Sequence, residues 1–462
     1  MRPLTRHIII SLSFLAFATN ADANANASAN ILTNAGYTFF ILMLKAIVQL
    51  VMVMVFVYTI RHLVFTLNRL FSAQRQPYLD VDTVDWPSVT VVVPAHNEEN
   101  VIALAIESLL NVDYPPDRYR IFVVDDRSHD DTWEILRTLE AQAPAIITAY
   151  NRTDGIPGKA GVLEEISDLI ESDIMIVFDA DYIPGRGLIK QLASPFFDAE
   201  VGAVMGRVVP HNTETNLLTR LLDLERAAGY QVDQQARMNL HLVAQYGGSV
   251  GGVRMSALRA VGGWKTTAYA EDTDLTYRLL LHGFKTVYEN RCECYEEVPE
   301  IWQERNRQIM RWSKGHNQVA IRYVFPTIFS KRVRLLERID AVLLLGVYLI
   351  APLLLVGFLS AITLYMLGES LFTSSAWILV GFVGFGTLGN FAAFFQLAAA
   401  TQLDNSGVRI RLLPLNFLNF LVSLVNVSRA SASLLFSDIL LDKELRWEKT
   451  SRFRKRFRDE TL

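Results

Sequence analysis

Two hydrophobic rhythms divide the chain. Between residues 87 and 300, short β-branched runs alternate with amphipathic stretches, whereas on either side the apolar runs are long enough to cross a bilayer. Ser88–Val93 ends at Pro94-Ala95-His96-Asn97-Glu98-Glu99, with a helix-like segment after Asn100. Tyr119–Val124 ends at Asp125-Asp126, and Ser128 or Asp130 is placed to cap a helix running through Leu139. Ile174–Phe178 ends at Asp179-Ala180-Asp181. Strand and helix in alternation predict an α/β domain on a mostly parallel sheet. Ligands of such sheets bind beyond the carboxyl ends of the strands, where these acids fall.

The flanking pattern predicts a membrane protein. Tyr37–Ile60 is apolar apart from Lys45 and Gln49, about 36 Å long as a helix, so a transmembrane helix is expected over 37–67. Arg61, His62, Arg69 and Arg75 follow it, which puts the next domain on the cytoplasmic side. Ala341–Leu367 and Trp377–Ala400 then exit and return, with Arg409 and Arg411 on the return side. Leu412–Phe436 carries Asn416, Asn419, Asn426 and Arg429, a poor composition for a span, and is expected as a re-entrant or interfacial helix within a C-terminal helical block at 338–440. Over 301–330, Trp302, Ile309, Trp312, Val319 and Tyr323 recur near helical spacing among Arg305, Arg307, Lys314 and Arg322. That stripe fits an interfacial helix or one packed on the soluble core. At the N-terminus, Arg2 and Arg6 precede the apolar run Ile8–Phe17 and small-residue sites. This reads as a signal peptide over 1–23 or an uncleaved anchor, followed by a spacer at Ala21–Asn30.

Composition adds little except locally. The net charge is −4. Lys443 to Arg458 holds eight basic residues, and beside apolar helices a tail of this kind at 441–462 suits anionic lipid on the cytoplasmic side better than nucleic acid. Cys292 and Cys294, the two cysteines, read as reduced and structural. Gly247–Gly252 lacks the G-x-G-x-x-G order in a strand-helix context, which excludes a dehydrogenase loop.

The acids carry the chemistry. Asp125-Asp126, Asp179/Asp181 and Glu271-Asp272 are costly to gather in one crevice unless a divalent cation and a phosphate-bearing ligand fill it. Asp179 and Asp181, two apart on extended backbone, project to one face and suit Mg²⁺ or Mn²⁺, although Asp-x-Asp can also be a solvated turn. Asp125 and Asp126 are placed for the base or ribose of a nucleotide, or for capping the next helix. Lys159 follows a Gly/Pro-rich loop and opens a helix, an arrangement that favours a diphosphate, or else it is an exposed loop lysine.

These pieces, in this order, resemble the family-2 glycosyltransferases of GT-A (Rossmann-like) fold. Within that family they resemble the membrane-embedded β-glycan synthases that make cellulose, chitin, hyaluronan and poly-N-acetylglucosamine. The resemblance covers about residues 87–325 and the flanking helices, and implies a cytosolic GT-A domain over 87–300 flanked by transmembrane and interfacial helices. It assigns Pro94, Asn97 and Glu98 to a first-strand signature at the donor, Asp125 and Asp126 to uridine, and Asp179 and Asp181 to metal and diphosphate. Lys159, Gln308 and Arg311 join the donor side. Glu271-Asp272 resembles the Thr-Glu-Asp signature with Asp272 as base, and Trp312, Tyr246, Gly248 and Ser249 are implied at the acceptor. Arg127, Ala270 and Val162-Leu163-Glu164 depart from the family pattern.

The implied reaction is an inverting displacement. Asp272 takes a proton from an acceptor hydroxyl as it attacks a UDP-sugar. A cation on Asp181, with Arg311, neutralises the departing UDP. The expected protein is a multi-pass enzyme of a bacterial inner membrane that elongates a β-linked glycan from UDP-glucose or UDP-N-acetylglucosamine and moves it through its own helices, in contact with lipid and with room for accessory membrane or periplasmic subunits. The alternatives are a single-sugar transferase making a glycolipid and a non-catalytic membrane scaffold.

Overall fold

The computed structural model describes residues 23–76, 78, 85–370 and 391–439. The tail at 441–462, residues 377–390 of the expected span Trp377–Ala400, and the signal peptide as far as residue 22 lie outside them. The chain divides into two compact units, Met1–Val53 with Val356–Val380, and Met54–Leu355 with Gly381–Leu462.

In the first unit, two apolar helical stretches pack together. Ile41, Leu44 and Val48 bury against Leu364, and the Val51 side chain meets the bare α-carbon of Gly357. Lys45, the one charge in an otherwise apolar run, is neutralised by Glu369 at 2.9 Å. The helix carrying Lys45 runs over Ala23–Phe71. The expected spacer at Ala21–Asn30 is therefore helical from Ala23, as its alanines favour.

The second unit is built on one eight-stranded sheet in the order β3-β2-β1-β4-β7-β6-β8-β5. Here β1 is Val89–Ala95, β2 Tyr119–Asp126, β3 Ile147–Arg152, β4 Ile174–Val177, β5 Ile183–Pro184, β6 Val201–Pro210, β7 Gly251–Arg254 and β8 Lys285–Glu296. The sequence signal is accurate for β1, β2 and β4, which with the unexpected β3 pair in parallel. Their period-2 apolar residues cover both faces: Val91, Val93, Ile121, Val123, Ile174 and Ile176 enter one core, and Val92, Val124, Met175 and Val177 the other.

The second half departs from the parallel expectation. β7 is antiparallel to β4 and β6, β6 is parallel to β8, and β5 is antiparallel to β8. β7 opens with two glycines, a pattern that reads as a loop. Both are needed bare, because a Cβ on Gly251 would lie 2.6 Å from the Tyr246 ring and one on Gly252 2.9 Å from the Phe196 ring.

Register explains why the acids meet. Ala95 lies beside Asp125 and Val92 beside Val177, so the segments after β1, β2 and β4 leave the sheet at one edge.

Among the described residues, three helices are long and apolar enough to cross a membrane: Ala35–Phe71, Leu335–Met366 and Gly407–Phe436. The asparagines that argue against the third as a span do not need to face lipid. Asn419 donates to Glu225 at 3.3 Å and Asn426 to Asn306 at 2.9 Å, and Ser431 accepts from Asn317 at 2.9 Å. The helix Trp302–Phe329 receives the second and third of these contacts, and the helix Leu217–Ala227 the first. Trp302–Phe329 combines both readings of its stripe: Ile309, Ser313, Asn317 and Val319 are buried, while Ile321, Phe325 and Phe329 are exposed.

Candidate active site

A cavity of about 670 Å³ opens at the carboxyl edge of the sheet. Of the expected site residues, Pro94, Glu98, Asp126, Lys159, Asp179, Asp181, Gly248, Ser249, Glu271, Asp272, Gln308, Arg311 and Trp312 line it. Asn97, Asp125 and Tyr246 do not.

Asn97 sits in the left-handed region, at φ 54. Its side-chain oxygen accepts from the His129 N–H at 2.7 Å, and its own N–H donates to Ser128 Oγ at 2.8 Å. The signature after β1 is thereby tied to the loop after β2. Asn97 is a brace rather than a cavity-lining residue.

Asp125 and Asp126 part company. Asp126 accepts from Arg152 Nη1 at 2.8 Å and the Gly158 N–H at 3.0 Å, and pairs with Arg127 at 2.8 Å. Both its oxygens are engaged in holding β2, β3 and the Gly/Pro-rich loop together. Asp125 is buried behind it, with Oδ1 lacking a hydrogen-bond partner among the described residues. Burial pushes the Asp125 carboxyl up, against hydrogen bonds from Ser128.

Lys159 crosses the cavity to Asp179 at 2.5 Å. Burial works against its charge, but Asp179 and Glu271 outweigh that and hold its pKa above the ordinary lysine value. The Asp179 N–H donates to Ser249 Oγ at 2.9 Å, so the expected acceptor residue Ser249 also fixes the Asp-Ala-Asp backbone. Asp179 and Asp181 offer hard oxygen donors. Among the described residues no group of three His, Cys, Asp or Glu gathers at a metal-binding spacing. Two carboxylates fit Mg²⁺ or Mn²⁺, which take one or two such ligands and complete the shell from phosphate and water.

Glu271 and Asp272 form the first turn of the helix Glu271–His282. Asp272 Oδ1 accepts from the Thr273 N–H at 2.6 Å and from Thr273 Oγ1 at 3.3 Å. Burial pushes Asp272 above the ordinary carboxylate value. Burial, then the Asp272 charge, pushes Glu271 up to about 7. Gly248, at φ +77, faces Asp272 so closely that a Cβ would stand 3.2 Å from the Asp272 Cβ.

Residues 87–315 match the family model described as "Glycosyltransferase like family 2". This stretch is a family-2 glycosyltransferase domain. The chain is 34% identical over 248 residues to Beta-monoglucosyldiacylglycerol synthase of Synechocystis sp., covering 53% of this chain and 51% of that protein. It is 30% identical over 270 residues to Probable glucomannan 4-beta-mannosyltransferase 1 of Arabidopsis thaliana, covering 57% of this chain and 49% of that one. The chain thus spans about half the length of these curated relatives. The mannosyltransferase PcManGT from Pyrobaculum calidifontis, solved with GDP-Man and Mn²⁺, aligns with a TM-score of 0.52 at 20% identity over 78% of this chain and 99% of that one. At that identity the match establishes the GT-A-like fold alone.

Within the glycosyltransferase domain, two expected acceptor residues are placed otherwise than for simple contact. Tyr246 is fully buried, tilted against Trp264 at 6.2 Å between centroids. Its bulk fills the space that Gly251 leaves. Trp312 lines the cavity, but the Arg226 and Arg305 guanidinium carbons lie over its ring at 5.0 and 5.5 Å, so cations compete for the apolar surface expected to stack on a sugar.

Several contributors escape sequence reasoning. Arg226 donates to Glu296 Oε1 at 2.6 Å, and Glu296 Oε2 accepts from Tyr182 at 2.9 Å, joining the Asp-Ala-Asp loop to the wall beside Trp312. Gly315 lets the Trp302–Phe329 helix reach the Glu271-Asp272 segment, since a Cβ there would stand 2.7 Å from the Ala270 Cβ. A lone glycine in a helical pattern is the one local cue to that approach. Arg226 and Glu296 carry none.

Proposed function

We propose that this chain is an inverting, metal-dependent membrane glycosyltransferase that elongates a β-linked polysaccharide from a UDP-sugar, UDP-glucose or UDP-N-acetylglucosamine. The supporting observation is that Asp181 and Asp272, 91 positions apart by their numbering, line one cavity together with Lys159, Gln308 and Arg311. Asp179 and Asp181 hold a divalent cation, which when bound supplies positive charge to the diphosphate. Asp272 holds the acceptor hydroxyl and removes its proton. Its raised pKa makes it a stronger base than an exposed aspartate. Lys159 and Arg311 bring the chain's own positive charge to the leaving nucleotide. Asp125 lies behind the cavity lining, and it is our candidate for an N–H of the base because Asp126 spends both its oxygens within the protein. The three apolar helices hold the domain at the membrane, which we read as a bacterial inner membrane with the domain on the cytoplasmic side.

A second reading is transfer of one sugar to a lipid, favoured by the 34% identity to the glycolipid synthase. The glucomannan relative, at 30%, favours the polymer. Membranes containing the full chain, incubated with radiolabelled UDP-glucose, UDP-N-acetylglucosamine, other UDP-hexoses and GDP-mannose, separate the readings. The polymer reading expects label in material insoluble in organic solvent and digestible by a linkage-specific β-hydrolase. Label extracted into organic solvent selects the glycolipid reading, and no transfer from any donor refutes both.

A further inference from the structure

Four charges at the wall of the cavity, three of them buried, close into a ring. Arg61 Nη2 lies 3.0 Å from Asp233 Oδ1 and Arg61 Nε 3.1 Å from Asp340 Oδ1. Arg237 Nη2 lies 2.8 Å from Asp233 Oδ2 and Arg237 Nε 3.5 Å from Asp340 Oδ2. Each aspartate stands between two arginines, and the ring is neutral as a whole. The side chains of Arg61, Arg237 and Asp340 are between 1% and 6% exposed, so water does little to screen them. A group of this kind tolerates removal of a neutral pair far better than removal of one charge.

The ring has an address. Arg61 belongs to the long N-terminal helix, Asp340 to the helix Leu335–Gly346, and Asp233 to a π-helical segment, Ala228–Gln234. π-helical turns often mark functional sites. Gly229, Tyr230, Asp233 and Gln234 of this segment line the cavity, as does Arg237. The N-terminal helix grips the same segment again through Arg69 Nε, which donates to the Gln231 carbonyl at 2.6 Å, and grips Asn239 through Asn68 at 2.8 Å.

From the segment, hydrogen bonds continue to the expected base. Gln234 Nε2 donates to the Gln245 carbonyl at 2.8 Å, and the Gln245 N–H donates back to Gln234 Oε1 at 3.1 Å. Gln245 Nε2 donates to Thr273 Oγ1 at 3.0 Å. The Thr273 N–H and Oγ1 then hold Asp272 Oδ1.

We propose that Arg61 is a positioning residue for sugar transfer: through the Arg61–Asp233–Arg237–Asp340 ring it holds the segment 228–239, and through Gln234, Gln245 and Thr273 it orients Asp272. This inference rests on the reading of Asp272 as the base. It couples an apolar helix to the reacting edge of the sheet without touching either substrate.

The test compares Arg61→Met with Arg61→Met/Asp340→Leu in the full chain, purified in nanodiscs. The single variant leaves an unbalanced buried charge. The double variant leaves the neutral Asp233–Arg237 pair. Arg61→Met lowers the thermal midpoint, speeds amide hydrogen exchange over 228–239, and lowers kcat by about tenfold to a hundredfold, the range expected when a reacting group shifts by about 1 Å. The Kd for UDP with Mn²⁺ stays the same. The double variant recovers the midpoint but keeps the fast exchange and the low kcat. If it recovers midpoint, exchange and kcat together, the ring is structural only and the proposal is overturned, as it is if exchange over 228–239 is unchanged in the single variant. Should the wild type transfer no sugar from any donor, the reading of function fails, and the exchange comparison still decides whether Arg61 holds the segment.

Discussion

Replacing Asp272 by Asn tests the centre of the mechanism with little disturbance of its surroundings. Asparagine is nearly isosteric, and its Oδ1 can still accept from the Thr273 N–H, now 2.6 Å from the carboxylate, and from Thr273 Oγ1 at 3.3 Å. The helix start and the side-chain direction are therefore kept. What disappears is one negative charge and the ability to take a proton. Loss of a general base costs about 10² to 10⁴ in rate, about 3–5 kcal/mol of barrier. Two side effects are calculable in sign. Nucleotide binding holds or tightens, because a negative charge leaves a cavity that receives a diphosphate. Glu271 falls from about 7 toward the ordinary glutamate value, since after burial the Asp272 charge is what raises it. The assay measures transfer from the donor selected by the panel, beside a UDP titration on the same preparation. Turnover within about tenfold of wild type would refute the assignment of the base, and loss of UDP binding in step with transfer would show that Asp272 serves the donor instead.

Three further outcomes are expected. Asp272 must be ionised to act and burial raises its pKa, so kcat/KM falls as pH falls, at a pH above that at which an exposed aspartate titrates; a pH–rate profile whose acid limb lies at the ordinary aspartate value of about 3.9 contradicts this. Asp181→Ala abolishes the tightening of UDP binding by Mn²⁺ or Mg²⁺, and an unchanged metal titration removes Asp181 as a ligand. Arg152→Met, at a side chain 2% exposed and paired with Asp126 and Glu165, leaves a buried carboxylate short of its partner and destabilises the fold by about 3–5 kcal/mol in denaturant titration; a loss below about 1 kcal/mol would mean Arg127 and the Gly158 N–H suffice for Asp126.

Much of the framework was legible along the chain. β1, β2 and β4 announce themselves through β-branched runs, and the acids at their ends fall together because parallel strands in register finish at one edge. Lys159, Asp179, Asp181, Asp272 and Arg311 share the cavity that their motifs imply. These features depend on near neighbours in sequence: alternation over a few residues, a glycine before a helix, two acids one residue apart. The apolar helices are legible for the same reason.

What only packing decided is who meets whom across long separations. Gly251-Gly252 becomes a strand because Tyr246 and Phe196 need the space above its α-carbons. Asp126 rather than Asp125 spends its oxygens on Arg152 and Gly158, a division that two adjacent identical residues cannot reveal. Asn419 and Asn426 find Glu225 and Asn306, so polarity that counts against a span in sequence is buried against protein. Arg61, Asp233, Arg237 and Asp340 lie far apart in the chain, and each alone reads as an ordinary charge. Local sequence determines periodicity and the chemistry on offer; tertiary contact determines pairing, because a buried charge or hydrogen-bonding group is stable only beside the partner that packing brings to it.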